Sequence, residues 1–578
     1  MTGPAAPKDP EKARPFFYIL KDKDIFGERQ KDGTGIQFIY ESDGRLINSA
    51  QITGNVTDKE ELTLLETVEG FGRLVHSIGV SVETDRPEET AEFVFQMYGK
   101  KDLYGGGTNL TTSLKCDGME HRIYLSDYRW TEDDHVPGQI KILFAAPERM
   151  GKVSVRLFLN DGYEAPPEEE DLVIDMHSEE YCGMISRSLL QLGNPYRIRK
   201  AIEKSKAGKE VTLAYIGGSI TQGAGAIPIH TECYAYKSFQ LFQNRFSTQN
   251  NVRFIKAGVG GTPSELGMIR FDRDVLREGE RPDIVVIEFA VNDEGDETKG
   301  VCYESLVRKV LKLPWKPAVV LLFSVFANDW NLQERLRPVG DLYDLPMVSI
   351  RDAVTPQFSL KCGEGRILSK NQFFYDIFHP NNTGHTIMAD CLQYLFERCD
   401  AAEPARVGTF VEGMTEEQIL SEKLSGPAVI GADFERIFLL DKKNRYVGAK
   451  IRTGSFTSTD IELQSVEMDG NLTQTPEFPY NWMYDGSRPQ MPGFEMEITC
   501  KSLFLIFKDS GEMDVGKANV FVNDVYCMTA DPHKNNWLHC NAVLLFWETE
   551  SRSHKVRIAV TEEDRNKKFT ILGFGYTI

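Results

Sequence analysis

The pattern of apolar and polar positions divides the chain into three textures. Up to about residue 175, short runs alternate with period two: Gly35–Tyr40, Glu92–Met97, Gln139–Ala145 and Lys152–Leu159. That period is the signature of half-buried strands, and the turn residues between the runs predict an antiparallel β-sandwich. From about 185 to 400 the runs become continuously apolar: Val211–Ile216, Val252–Ala257, Asp283–Phe289, Ala318–Val325 and Pro346–Ile350. Strands covered on both faces read this way. Amphipathic stretches lie between them, such as Tyr236–Phe246, Ser264–Arg277 and Tyr303–Leu313, and Thr383–Arg398 closes the region with Thr383 placed to cap it. After about residue 405 short strands return, at Ala449–Arg452, Phe494–Ile498, Ser502–Phe507, Ala518–Val522, Ala542–Phe546, Lys555–Val560 and Phe569–Leu572.

The resulting expectation is an α/β protein. A doubly wound parallel sheet with helices on both faces (185–402) is flanked by an N-terminal β-sandwich (1–180) and a C-terminal, jelly-roll-like β-sandwich (405–578). The acidic, proline-bearing stretch Tyr163–Asp171 marks the first boundary. No internal repeat relates the two β regions.

Composition narrows the function classes. At 578 residues the chain exceeds a single core, and 41% hydrophobic with 26% charged residues is an ordinary globular balance. The formal net charge of −20 argues against nucleic acid as a partner, which would have to bind against the protein's own field. No apolar run is long enough to span a bilayer, so no membrane association is expected. Met1–Pro15 is polar and shows no signal-peptide h-region. The ten cysteines are scattered without close pairs, which favours free thiols, no structural metal and a cytoplasmic location.

Candidate chemistry gathers in the middle region, at the carboxyl ends of predicted strands, where ligands of open α/β sheets bind. The first strand runs into Gly217-Gly218-Ser219-Ile220, the second into Gly258-Val259-Gly260-Gly261-Thr262, and the third into Val291-Asn292-Asp293. Asp376-Ile377-Phe378-His379-Pro380 precedes the last helix and sets a carboxylate three residues before a histidine. Ester hydrolysis needs a nucleophile, a base, a group to orient the base and donors for the developing oxyanion. These four segments supply each. Individually every residue has a plainer use: Ser219 as a helix cap, Gly260 and Gly261 as turn glycines, and Asn292 in an Asx-turn. His385 is a rival base, but it falls within the last helix and lacks the carboxylate.

These four blocks resemble those of the SGNH (GDSL-like) hydrolase superfamily. The resemblance covers about 200 residues and implies roles position by position. Ser219 would be the nucleophile, His379 the general base and Asp376 its orienting acid. The Ser219 N–H, the Gly261 N–H and the Asn292 amide would form the oxyanion hole; which loop glycine donates is open. Gly218 stands where the family's name-giving aspartate is usual. No cofactor or metal is implied.

β-Domains flanking such a domain resemble multidomain carbohydrate acetylesterases, which implies an acetylated oligosaccharide, such as a mannan or xylan fragment, as substrate. Aromatic side chains stack on sugars, so Trp482, Tyr484, Trp537 and Trp547 are candidate contacts, each with core packing as its alternative. Trp330 and His230 lie in loops that could border the cleft as substrate contacts. Another ester (sialate O-acetyl, lipid or thioester) and an inactive carbohydrate-binding protein are the alternatives. Homo-oligomerisation is left open.

Overall fold

The computed structural model describes residues 14–578 except 41–44, 102–104, 169, 403–413 and 471–472. Most of Met1–Pro15, Glu169 of the acidic boundary stretch and the expected junction near 403–405 lie outside the described residues.

The N-terminal region forms two antiparallel sheets. One orders Phe16–Phe26, Met150–Leu159, Val75–Thr84 and His121–Tyr124; the other orders Glu28–Arg29, Gly35–Tyr40, Asp134–Phe144, Thr90–Gly99 and Asn109–Lys115. Phe93, Phe95, Ile140, Ile142, Val153, Val155 and Leu157 fill the space between them. Three helices absent from the β-only expectation, Arg45–Thr53, Lys59–Leu64 and Val68–Leu74, cross this core. The last two begin at local caps: Asp58 accepts from the Glu60 and Glu61 amides, and Thr67 from the Gly70 amide.

The central sheet orders Leu189–Gln191, Met347–Ser349, Ala318–Phe323, Ile284–Glu288, Val211–Gly217 and Val252–Gly258. All pairs are parallel except that of the edge strand Leu189–Gln191, which runs antiparallel and was not among the expected strands. Val211–Gly217 lies between the next two strands of the chain, which makes its carboxyl end the point where the winding reverses. Successive residues of one strand feed opposite cores. Leu213 and Tyr215 meet helices Tyr234–Phe246 and Asn382–Ala401, whereas Ala214 and Ile216 meet Ser264–Phe271 and Val301–Leu311. Asn381, not Thr383, caps the last helix, its side chain accepting from the Gly384 amide. Among the described residues no helix is long and apolar enough to cross a membrane.

In the C-terminal region, two pairs of expected strands merge. Phe494–Asp509 and His539–Val560 are continuous strands of 16 and 22 residues at the centre of an eight-stranded antiparallel sheet. A register shift between Cys500 and Ser502 moves the inward set from Phe494, Met496 and Ile498 to Leu503, Leu505 and Phe507. That break in alternation reads as a turn in sequence but is a bulge in the fold. Leu505 pairs with Phe574, yet Phe494, some 35 Å up a straight strand, stacks on Phe574 at 5.7 Å. The sheet therefore folds back over its own core. Phe504 and Ile506, on its other face, join Leu266, Ile269 and Phe434 in the core beneath the central sheet. The β domain is thus seated on the helices that follow the second and third strands.

Candidate active site

Glycines let the first strand turn sharply into its helix. A β-carbon at Gly217 would stand 2.2 Å from Thr221 Oγ1, and one at Gly218 would stand 2.3–2.6 Å from the Asn292 side chain. At Gly218, where the family's aspartate is usual, the Asn292 amide lies against the bare α-carbon. Ser219 opens the short helix Ser219–Gln222, for which Gly218 is the cap residue and no side chain caps the helix. Its hydroxyl is turned instead toward His379, with Nε2 2.9 Å from Ser219 Oγ. His379 Nδ1 lies 3.0 and 2.9 Å from Asp376 Oδ1 and Oδ2. Asp376 Oδ1 also accepts the Phe378 and His379 amides, at 2.8 and 2.9 Å, so the three-residue spacing closes a turn that holds acid and imidazole in line.

The N-terminal domain braces the segment leading to this turn. Lys23 donates to the Asn371 and Phe374 carbonyls, Thr53 to Asn371 Oδ1, and Tyr375 packs against the sandwich core. His385 plays a different part. Its Nδ1 accepts the Tyr234 amide, its Nε2 faces the Ala224 carbonyl, and burial lowers its pKa to about 3, so it is a neutral structural imidazole.

Opposite the imidazole lie the two loops of donors. Gly260 N–H is taken by Gln222 Oε1 at 2.9 Å, which leaves the Gly261 N–H as the loop's candidate donor. Gly261 has φ +71°, and a side chain there would strike Trp537 and His539. Asp293 Oδ1 accepts the Ser264 amide and so ties the Asn292 loop to the glycine loop.

Beneath Ser219, buried Glu288 accepts from Thr221 Oγ1, which in turn meets the Tyr234 hydroxyl. Burial raises the Glu288 pKa to about 7. Glu265, Asp296 and Cys302 are buried together with ligand-type atoms within 4.8 Å, a grouping invisible in their spacing. Asp296 already accepts from the Thr298 amide and hydroxyl and the Gly300 amide. Burial, then Asp296, lifts Glu265 to about 10. This donor set describes a proton-sharing acid pair better than a metal site.

Substrate-contact candidates separate clearly. Trp482 and Tyr484 are core residues, and Trp547, though 43% exposed, leans on Phe434 with its ring 4.9 Å away and has no contact with the glycine loop among those described. Trp537 is 45% exposed, borders Gly261, and has its ring 4.6 Å from that of His539. Trp330 stacks on Phe326, which meets Phe378 edge-on at 5.0 Å, so a row of rings links it to the residue before His379. His230 lies in the short helix Ile229–Glu232, where burial and then Lys256 lower its pKa. Gln222, Gln464 and His539 were not foreseen. Gln222 is one helical turn from Ser219, a usable signal, but the other two are over 200 residues from the loop they touch.

Residues 215–387 match the family model of the GDSL-like Lipase/Acylhydrolase family. A crystal structure of a two-domain esterase active on acetylated mannans, co-crystallized with mannopentaose, is similar at 24% identity with a TM-score of 0.53, over 68% of this chain and 98% of that one. The same kind of esterase without that ligand gives 23%, 0.54 and the same coverage. No curated protein matches the chain by sequence. The central domain is that of an SGNH-type acylhydrolase, and the protein is a carboxylic ester hydrolase.

Proposed function

We propose that this hydrolase is a serine O-acetylesterase acting on acetylated carbohydrate, with mannan- or xylan-derived oligosaccharides as the substrate class. The observation that carries the reading is the Ser219–His379–Asp376 chain of 2.9–3.0 Å contacts, set beside a glycine loop that an exposed tryptophan borders. Support for a sugar comes from Trp537, which is 45% exposed and offers a stacking surface beside the Gly261 loop. The similar two-domain esterases act on acetylated mannans, which points the same way. Ten free cysteines suit an enzyme working on oligosaccharides in the cytoplasm.

In the proposed reaction, Asp376 holds the His379 tautomer with its proton on Nδ1, leaving the Nε2 lone pair toward Ser219. His379 takes the hydroxyl proton as Ser219 Oγ attacks the acetyl carbonyl. Negative charge on that oxygen meets the Ser219 and Gly261 amides and the Asn292 side chain. Collapse breaks the bond to the sugar oxygen, which leaves with the proton from His379. A water then gives its proton to His379 and attacks the acetyl-serine; the bond to Ser219 Oγ breaks, Oγ takes the proton back from His379, and acetate is released.

Mass-spectrometric analysis of acetylated manno- and xylo-oligosaccharides tests this. Wild-type protein is expected to remove 42 Da acetyl increments, whereas Ser219→Ala leaves them in place while folding normally. Intact acetylated sugars alongside hydrolysis of long-chain or thioester substrates would overturn the carbohydrate assignment.

A further inference from the structure

We infer that the C-terminal domain takes part in the reaction by aiming the Gly261 N–H, and that Gln464 is the positioning residue through which it does so. The inference rests on the proposal above that this N–H receives the oxyanion.

The segment Leu463–Asp469 runs alongside the glycine loop. Gln464 Nε2 donates to the Gly260 carbonyl at 2.9 Å, and the next carbonyl, that of Gly261, lies 3.0 Å from His539 Nε2. In a trans peptide the carbonyl and the following N–H point in opposite directions. Holding the Gly260 oxygen toward Gln464 therefore turns the Gly261 N–H away from that side chain. A β-carbon on Gly260 would stand 3.7 Å from that of Ser219 and 3.8 Å from Gln464 Nε2, so this glycine borders both.

Glycine backbones have the widest conformational choice, so a loop of this composition cannot hold an amide in place unaided. Several neighbouring groups of the loop are held as well. The Gly260 N–H goes to Gln222, whose Nε2 reaches Glu467 of the same segment at 3.2 Å. Val259 packs with Val466 and Met468, and the Lys256 amide donates to Asp469.

Gln464 is itself fixed. It is 7% exposed, and its Oε1 accepts the Cys540 amide at 3.0 Å, which leaves Nε2 for Gly260. His539 is likewise buried, with Nδ1 beside Asn535 and Asp509. Both carbonyls flanking the donor are thus anchored in another domain, the preorganisation that oxyanion stabilisation requires.

The test uses the full chain with Gln464→Glu, which sets an acceptor against the Gly260 oxygen, and Gln464→Met, of equal length without a donor. Active sites are counted with an aryl phosphonate. Per titrated site, kcat for an aryl acetate should fall about 10- to 100-fold with KM and melting temperature little changed. The inhibition constant of a boronic acid, which forms a tetrahedral adduct on serine, should rise by the factor by which kcat/KM falls. Wild-type kcat per site and wild-type boronate affinity, even with fewer active sites or lower stability, would overturn the inference. Ser219→Ala and Asn292→Ala run in parallel. If these keep activity, the proposed function fails; if they lose it while both Gln464 variants do not, only the role of Gln464 falls.

Discussion

Gly218 is the position where a single methyl group tests the site most sharply. Its β-carbon would stand 2.3 Å from Asn292 Oδ1, 2.5 Å from Nδ2 and 2.6 Å from Cγ, against 3.4 Å or more in ordinary contact. The backbone has little room to give, because the adjoining Gly217 pairs with Gly258 on one side and Glu288 on the other. The amide must therefore retreat by about 1 Å to restore van der Waals contact. A donor withdrawn that far from about 2.9 Å no longer makes a hydrogen bond. Losing one oxyanion donor costs about 100- to 1,000-fold in kcat, about 2.7–4 kcal/mol. Gly218→Ala should accordingly lose about 100-fold in kcat on an aryl acetate. The fold should persist, since the φ of −87° at Gly218 lies outside the left-handed region that favours glycine. The decisive assay is a double-mutant cycle. With Asn292→Ala already present, the amide is gone, and adding Gly218→Ala should cost less than about 3-fold. Equal losses in both backgrounds would refute the steric reasoning.

Two further outcomes follow from the burial around the site. Glu288 keeps its proton to about pH 7 in the fold, whereas an unburied glutamate releases it near 4.5. Between those values the native state holds the extra proton, so stability falls as pH rises, by about 3 kcal/mol in all at about 1.4 kcal/mol per unit. Glu288→Gln should remove that slope, and denaturant unfolding from pH 4.5 to 8 would show parallel curves for both proteins if the reasoning is wrong. Trp537→Ala should raise KM for an acetylated oligosaccharide about 3- to 10-fold, the worth of one aromatic contact, and leave the KM of a small aryl acetate alone. An equal rise for both esters would make Trp537 a loop support instead of a sugar platform.

What the sequence determined by itself was local: which segments are strands, and what chemistry ends them. Val211–Gly217 and Ile284–Glu288 are apolar enough to be recognised as covered on both faces, and an α/β sheet brings the carboxyl ends of such strands to one edge. Ser219, Gly261, Asn292 and the Asp376–His379 pair were legible for that reason, each sitting just past an element boundary. Alternation misled where a bulge intervened, at Cys500–Ser502, because a register shift and a turn interrupt the pattern in the same way. The tertiary structure decided everything that depends on distance along the chain. Only the fold sets Asn292 against Gly218, so that a side chain there meets the amide. Only the seating of the C-terminal sheet on the central helices brings Gln464, Trp537 and His539 to a glycine loop more than 200 residues away. A glycine loop carries no side chain to orient itself, so what holds it must come from elsewhere, and no spacing rule links the two.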